Sequence, residues 1–219
     1  MNVSFDIETI PDQGIIDRLP EPEVKTGNLK DPEKIAAKEA EAKSTQLEKM
    51  ALDPLTGRIC CVGFYGLTKG EQFSSCIEKP TDEDERMLIK KTFSALSDDV
   101  RLITWNGIGF DLPFLFKRAM ILNVDPLEFG IQPLTAYTKR YNTEKHVDLM
   151  QVFGGWRDYV KLNTVAGLMF DAKKDDIDVT QLEEIMQTAE GRAKIERYCL
   201  RDAELTYRIF GMAQGCLFE

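Results

Sequence analysis

The sequence predicts an α/β fold, a β-sheet covered by helices, from three observations. Short apolar runs with strand character cluster in the first half of the chain. One helical pattern falls between the third and fourth of these runs, and mostly helical patterns follow them. That order suits a sheet flanked by helices, in an α/β or α+β arrangement. The 219 residues fit a single domain over 1–219, with a helical insertion at about 12–53.

Period-two or continuous apolar runs place strands at Val3–Ile7, Arg58–Tyr65, Gln72–Ile77 and Val100–Trp105. Helical spacing appears at Asp82–Leu96, Leu112–Leu122, Val165–Phe170, Gln181–Gln187 and, most strongly, Arg192–Phe210. The stretch His146–Phe153 fits either a short strand or a helix. Between Asp12 and Asp53 apolar residues thin out, and a run of strong helix formers follows Asp31 as cap and Pro32 at the first helical position. This reads as an exposed arm, either a solvated connector or a cover over a substrate or partner. The charge run Asp82–Arg86 suits a helix N-terminus, where acids are favourable.

Hydrophobic residues make up 43% and charged residues 30%, as in an ordinary globular protein. No apolar run approaches a membrane span, and MNVSFDIET has neither a basic flank nor an apolar leader core, so a cytoplasmic protein is expected. Five cysteines without a C-x-x-C pair argue against a disulfide framework or a structural zinc site. Cys60 and Cys61 are expected as core thiols on opposite sides of a strand. The net charge of -9 disfavours a protein that lives by nonspecific nucleic-acid binding, although acids that hold cations shift the balance the same way.

Three D-x-E pairs occur, Asp6/Glu8, Asp31/Glu33 and Asp202/Glu204, and only the first lies in an apolar strand. Alternate strand residues share a face, so Asp6 and Glu8 point the same way. Two carboxylates at ~4 Å repel by roughly 4 kcal/mol at an effective dielectric near 20, so water, a base or a metal must offset them. Downstream, RLITWNGIGFDLPFLFKRA runs from a strand through Asn106-Gly107 into a helix. Asp111 at that mouth suits two roles, a helix cap or a ligand group at the end of a sheet strand. Trp105 reads as core. In YCLRDAELTY, Tyr198 and Asp202 lie four apart on one helix face, while Glu204 points away to solvent.

Taken in order, FDIET, NGIGFD and YCLRD resemble the three exonuclease motifs of the DEDD superfamily of 3′–5′ exonucleases, which have a ribonuclease H-like fold. The resemblance is to the DEDDy branch, as in the proofreading domain of B-family DNA polymerases, and spans about Asn2–Phe210 outside the Asp12–Asp53 arm. The histidine form would need a histidine five residues before Asp202, where Arg197 stands. The only histidine, His146, lies outside all three motifs and reads as structural.

The resemblance implies a mixed α/β sheet of ribonuclease H-like type and hydrolysis of a phosphodiester with two Mg²⁺ or Mn²⁺ ions. Such ions prefer carboxylate oxygens and, set ~3.5–4 Å apart, neutralise the attacking and leaving oxygens. It further implies that Asp6 bridges both metals, Glu8 and Asp202 hold the ion that activates water, and Asp111 supports the second. Tyr198 would orient that water, since a phenol with a pKa of about 10 is a poor base. Thr9 and Asn106 would contact the terminal nucleotides, and Phe110 would pack on a base or sugar. Lys161 and Leu162 match a Ser/Thr-Leu stretch of polymerase proofreading domains, with lysine replacing the hydroxyl residue. Lys139, Arg140 and Lys145 form a loose basic group.

The expected activity is removal of nucleotides from the 3′ end of single-stranded DNA by a stand-alone enzyme. A polymerase does not fit in 219 residues, so proofreading would act in trans, with a polymerase or a replication or repair protein. Trimming of RNA is the alternative, and a non-catalytic nucleic-acid-binding module of the same fold is a more distant one.

Overall fold

The computed structural model describes residues 1–24, 31–67, 71–96, 100–139, 142–155, 158–172 and 177–217. Strand β1 (Asn2–Pro11) lies at the centre of a five-stranded sheet of order β3-β2-β1-β4-β5. Its neighbours are β2 (Gly57–Leu67), antiparallel to it, and β4 (Arg101–Thr104), parallel to it. Strand β3 (Glu71–Cys76) extends the antiparallel side, and β5 (His146–Asp148) extends the parallel side. The predicted sheet and the four predicted strands are present, and β1 runs further than its apolar core, carrying Glu8 and Thr9 within the strand.

Helices cover this sheet: α1 (Pro32–Ala51), α2 (Asp82–Ala95), α3 (Asp111–Ile121), α4 (Leu134–Tyr137), α5 (Leu149–Gly154), α6 (Leu162–Phe170), α7 (Leu182–Ile185) and α8 (Ala189–Ala213). Among the described residues none is long and apolar enough to cross a membrane. The ambiguous stretch His146–Phe153 is both things in turn: a three-residue strand, then α5, with the Asp148 carboxylate accepting from Met150 N at 3.1 Å as cap. The expected helix Gln181–Gln187 is instead a 3₁₀ turn (Val179–Gln181) followed by the short α7.

Val3, Phe5 and Ile7 of β1 are buried on one face, while Ser4, Asp6 and Glu8 face the other. Helix α8 lies across that second face. Gly63 permits the approach: it pairs with Asp6, and a Cβ there would sit 2.9 Å from the Cys199 backbone. The Ser4 hydroxyl donates to the Ala203 carbonyl at 2.5 Å, and the Cys199 thiol donates to the Asp6 carbonyl at 3.4 Å. Cys60 and Cys61 are both fully buried. A register shift between Glu8 and Thr9 leaves Cys60 as the extra residue of a bulge in β2, next to the acids.

The charge run at the start of α2 does more than favour a helix terminus. Glu85 is fully buried and accepts from Arg58 Nη1 (3.1 Å), Arg118 Nε (2.8 Å), Arg118 Nη2 (2.6 Å) and Ile59 N (2.9 Å). Arg58 also pairs with Asp12 and Asp82, each at 2.9 Å. One buried carboxylate thus ties β2, α2 and α3 together, and Arg58 links them on to Asp12, just past the end of β1.

Candidate active site

Asp6 and Glu8 arrive from β1, Asp111 from the first position of α3, and Tyr198 and Asp202 from one face of α8. The charges meet. Asp6 is repelled by Glu8, Asp111 and Asp202, and Glu8 by Asp202 and Asp111. Burial, and then this mutual repulsion, push the Asp6 and Glu8 carboxyls well above the ordinary carboxylate range. Burial pushes Asp111 up to about 7. No ion pair holds Asp6, Glu8 or Asp111 among the described residues.

Asp111 does not serve as a helix cap. Phe110 occupies the cap position of α3 without a side-chain cap bond, so Asp111 is not the cap. Strand β4 pairs with β1 only as far as Ser4, and beyond it the Asp111 carboxylate accepts from Ile7 N at 3.3 Å. Tyr198 donates its hydroxyl to Asp202. Burial and the nearby carboxylates raise the Tyr198 phenol, which keeps it protonated and a donor. Glu204 lies outside this group, half-exposed beside Arg208 at 4.0 Å.

The donor set fits hard divalent cations. Oxygens of Asp6 and Glu8 and the Cys199 sulfur lie within 4.8 Å of one another. Burial pushes the Cys199 thiol up, and as a thiol it donates to the Asp6 carbonyl. The ligand atoms on offer are therefore carboxylate oxygens, which suit Mg²⁺ or Mn²⁺. A pH dependence follows. In the metal-free fold these acids bind protons that the unfolded chain has released, because unfolded Asp titrates near 3.8 and folded Asp111 near 7. Stability therefore falls as pH rises across that window. The melting temperature of metal-free protein is expected to drop by roughly 5 °C between pH 5 and pH 8, and saturating Mg²⁺ should remove the drop. A thermal melt at both pH values checks this; a flat metal-free profile would contradict it.

Two cavities flank the acids. One of about 230 Å³ is lined by Asp6, Asp202, Trp105, Tyr159, Lys161, Leu162 and Asn163. Lys161 sits at the cap position of α6 with no side-chain cap bond, because an ammonium cannot accept from a backbone N–H. The other, of about 510 Å³, is bordered by Glu8, Thr9, Phe110 and part of α1. Thr9, Phe110, Lys161 and Leu162 thus border the acidic centre, whereas Asn106 lines neither cavity. Its side chain folds over Gly109, where a Cβ would lie 2.5 Å from Asn106 Oδ1. Lys139 and Lys145 line neither cavity, and Arg140 lies outside the described residues.

Sequence reasoning missed three contributors. Trp105 packs on a core cluster as expected, but it is only half-buried, donates to the Val160 carbonyl at 2.8 Å and also lines the smaller cavity. Tyr159, 69% exposed, shares that cavity. Asp148 is buried and accepts from Asn106 N (2.9 Å) and Ile108 N (3.0 Å), fixing the turn that delivers Phe110 and Asp111. Asn106 is left-handed there, at φ 68. His146 is structural, as expected. It is buried and neutral, with Nδ1 on the Tyr137 carbonyl (2.8 Å) and Nε2 on the Thr104 hydroxyl (2.7 Å). Thr104 in turn accepts from Gly107 N at 3.0 Å, and a Cβ on Gly107 would lie 2.1 Å from Thr104 Oγ1. Asp148→Ala leaves the amides of Asn106, Ile108 and Met150 without their acceptor, at a cost of about 2–4 kcal/mol. It should lower the melting temperature by roughly 5–10 °C, which calorimetry would read; a shift under about 2 °C would show that the turn holds itself.

Comparison with known proteins gives the family and the fold. Residues 53–216 match a family model described as "Predicted 3'-5' exonuclease related to the exonuclease domain of PolB". The DNA polymerase of Pyrococcus glycovorans is 30% identical over 139 residues, covering 57% of this chain and 18% of the polymerase. DNA polymerase 1 of Sulfurisphaera ohwakuensis is 28% identical over 140 residues, 59% of this chain and 15% of the relative. The chain therefore spans less than a fifth of these relatives. The structure of the family B DNA polymerase from the archaeon Pyrobaculum calidifontis superimposes with a TM-score of 0.59 at 18% identity, covering 97% of this chain and 24% of that one. The fold is ribonuclease H-like, and the chain belongs to the family of predicted 3′–5′ exonucleases related to the PolB exonuclease domain.

Proposed function

We propose that this chain hydrolyses phosphodiesters one nucleotide at a time from the 3′ end of single-stranded DNA, as a DEDDy-type exonuclease. The observation that carries the proposal is the convergence of Asp6, Glu8, Asp111 and Asp202, with Tyr198 bonded to Asp202. These four acids would hold two Mg²⁺ or Mn²⁺ ions, which when bound supply charge neutralisation at the attacking and leaving oxygens. The ions would also relieve the repulsion between the acids. Tyr198 keeps its proton and offers its hydroxyl to orient the attacking water beside Asp202. Lys161 stands at the Asp6/Asp202 cavity, where its ammonium can meet a backbone phosphate. The preference for DNA rests on the likeness to DNA polymerases.

The test is a parallel digest of 5′-labelled single-stranded DNA and RNA by the purified 219-residue chain with Mg²⁺ or Mn²⁺. A ladder of successively shorter DNA products is expected. Degradation of RNA alone would overturn the substrate, and an intact pair would overturn the activity. Tyr198→Phe should slow cleavage by about 10–100-fold while leaving the metal-induced rise in melting temperature in place. Loss of that rise would make Tyr198 part of the metal site.

A further inference from the structure

We infer that the arm helix α1 forms the outer wall of the pocket for the terminal nucleotide, and that Leu47 and Ala51 set what that pocket admits. The inference rests on the proposed exonuclease reading and extends it to residues outside the family match, which begins at 53. Ser44, Leu47, Glu48, Ala51 and Leu52 all border the 510 Å³ cavity. Their spacing is i, i+3, i+4, i+7, i+8, one face of a helix. A stripe of that kind ordinarily packs on a core, yet Met50 is the only buried residue of α1. The apolar part of the stripe is spent on the cavity instead.

The opposite walls are complementary. Glu8, one of the clustered acids, and Thr9 border the cavity on the strand side, together with Phe110. The segment Val179–Glu183 completes the enclosure, and Gln13 donates to Glu183 at 2.7 Å to tie that segment to the end of β1. The volume suits a small-molecule site. Glu48 and Glu183 at the lining repel phosphate, so a base rather than the backbone enters between Leu47 and Phe110, with its phosphate left toward the cations that Glu8 and the other acids would hold. A base walled on both sides cannot remain paired. The arm therefore selects an unpaired 3′ nucleotide.

The test is calorimetric titration of the full chain, in Mg²⁺, with a deoxynucleoside 5′-monophosphate as probe. Leu47→Trp fills the cavity, and Ser44→Trp does so from an exposed position whose replacement leaves the core untouched. Each should weaken binding by about tenfold or more, the scale of one lost base contact, with melting temperatures held. Wild-type affinity in both folded variants, or no binding by the unaltered chain, would overturn the inference. Arm-dependent binding by a chain that cuts neither DNA nor RNA would instead uphold the pocket and remove the exonuclease reading.

Discussion

Asp6→Asn is expected to abolish metal-dependent strand shortening, by on the order of 10³-fold or more, while making the metal-free protein more stable. Both effects have one cause. Asp6 is the acid against which Glu8, Asp111 and Asp202 all press, so its charge is costly to the metal-free fold and would be valuable to the cations of the proposed reading. Replacing the carboxylate by an amide removes that repulsion and leaves intact the carbonyl that receives the Cys199 thiol. A gain of about 1–2 kcal/mol at pH 8 corresponds to roughly 3–6 °C in melting temperature. Opposite movement of stability and activity is characteristic of a site strained for function. The digest and a metal-free melt read the two halves, and an inactive variant that also melts lower would mean that Asp6 serves the fold.

Glu85→Ala should cost about 3–5 kcal/mol of stability. Removal of this fully buried carboxylate leaves the guanidiniums of Arg58 and Arg118 inside without their main counter-charge, since both side chains are 5% exposed or less. Asp12, at 2.9 Å from Arg58 and 3.9 Å from Arg118, compensates only in part. A melting temperature lowered by roughly 10 °C or more is expected, and Glu85→Gln should recover part of it by keeping the acceptor for Ile59 N. Because α3 carries both Arg118 and Asp111, activity should fall with the fold. A shift below about 2 °C would show the arginines held by other partners.

The sequence carries the acidic centre openly because its chemistry is concentrated in residue types that a core does not tolerate. Asp6 and Glu8 interrupt an apolar strand, and Tyr198 and Asp202 share a helix face whichever way that helix packs. Other features depend on tertiary partners and leave no local trace. Asp111 has the composition of a cap, and only the end of β4 at Thr104 shows that its carboxylate serves Ile7 N instead. Asp148 is the cap of α5, yet the same oxygens also hold Asn106 and Ile108, which no spacing rule anticipates. A three-residue strand such as His146–Asp148 is too short to express a period. The stripe on α1 has the spacing of any core-facing helix, so its cavity could be found only in the folded chain.

The central claim is that Asp6, Glu8, Asp111 and Asp202 form one divalent-cation site. Crystals soaked in Mn²⁺ and measured at the manganese absorption edge address it directly. Two anomalous peaks about 3.5–4 Å apart, bordered by all four carboxylates, are expected. Manganese bound elsewhere on the chain, with the four side chains turned away from one another, would contradict it.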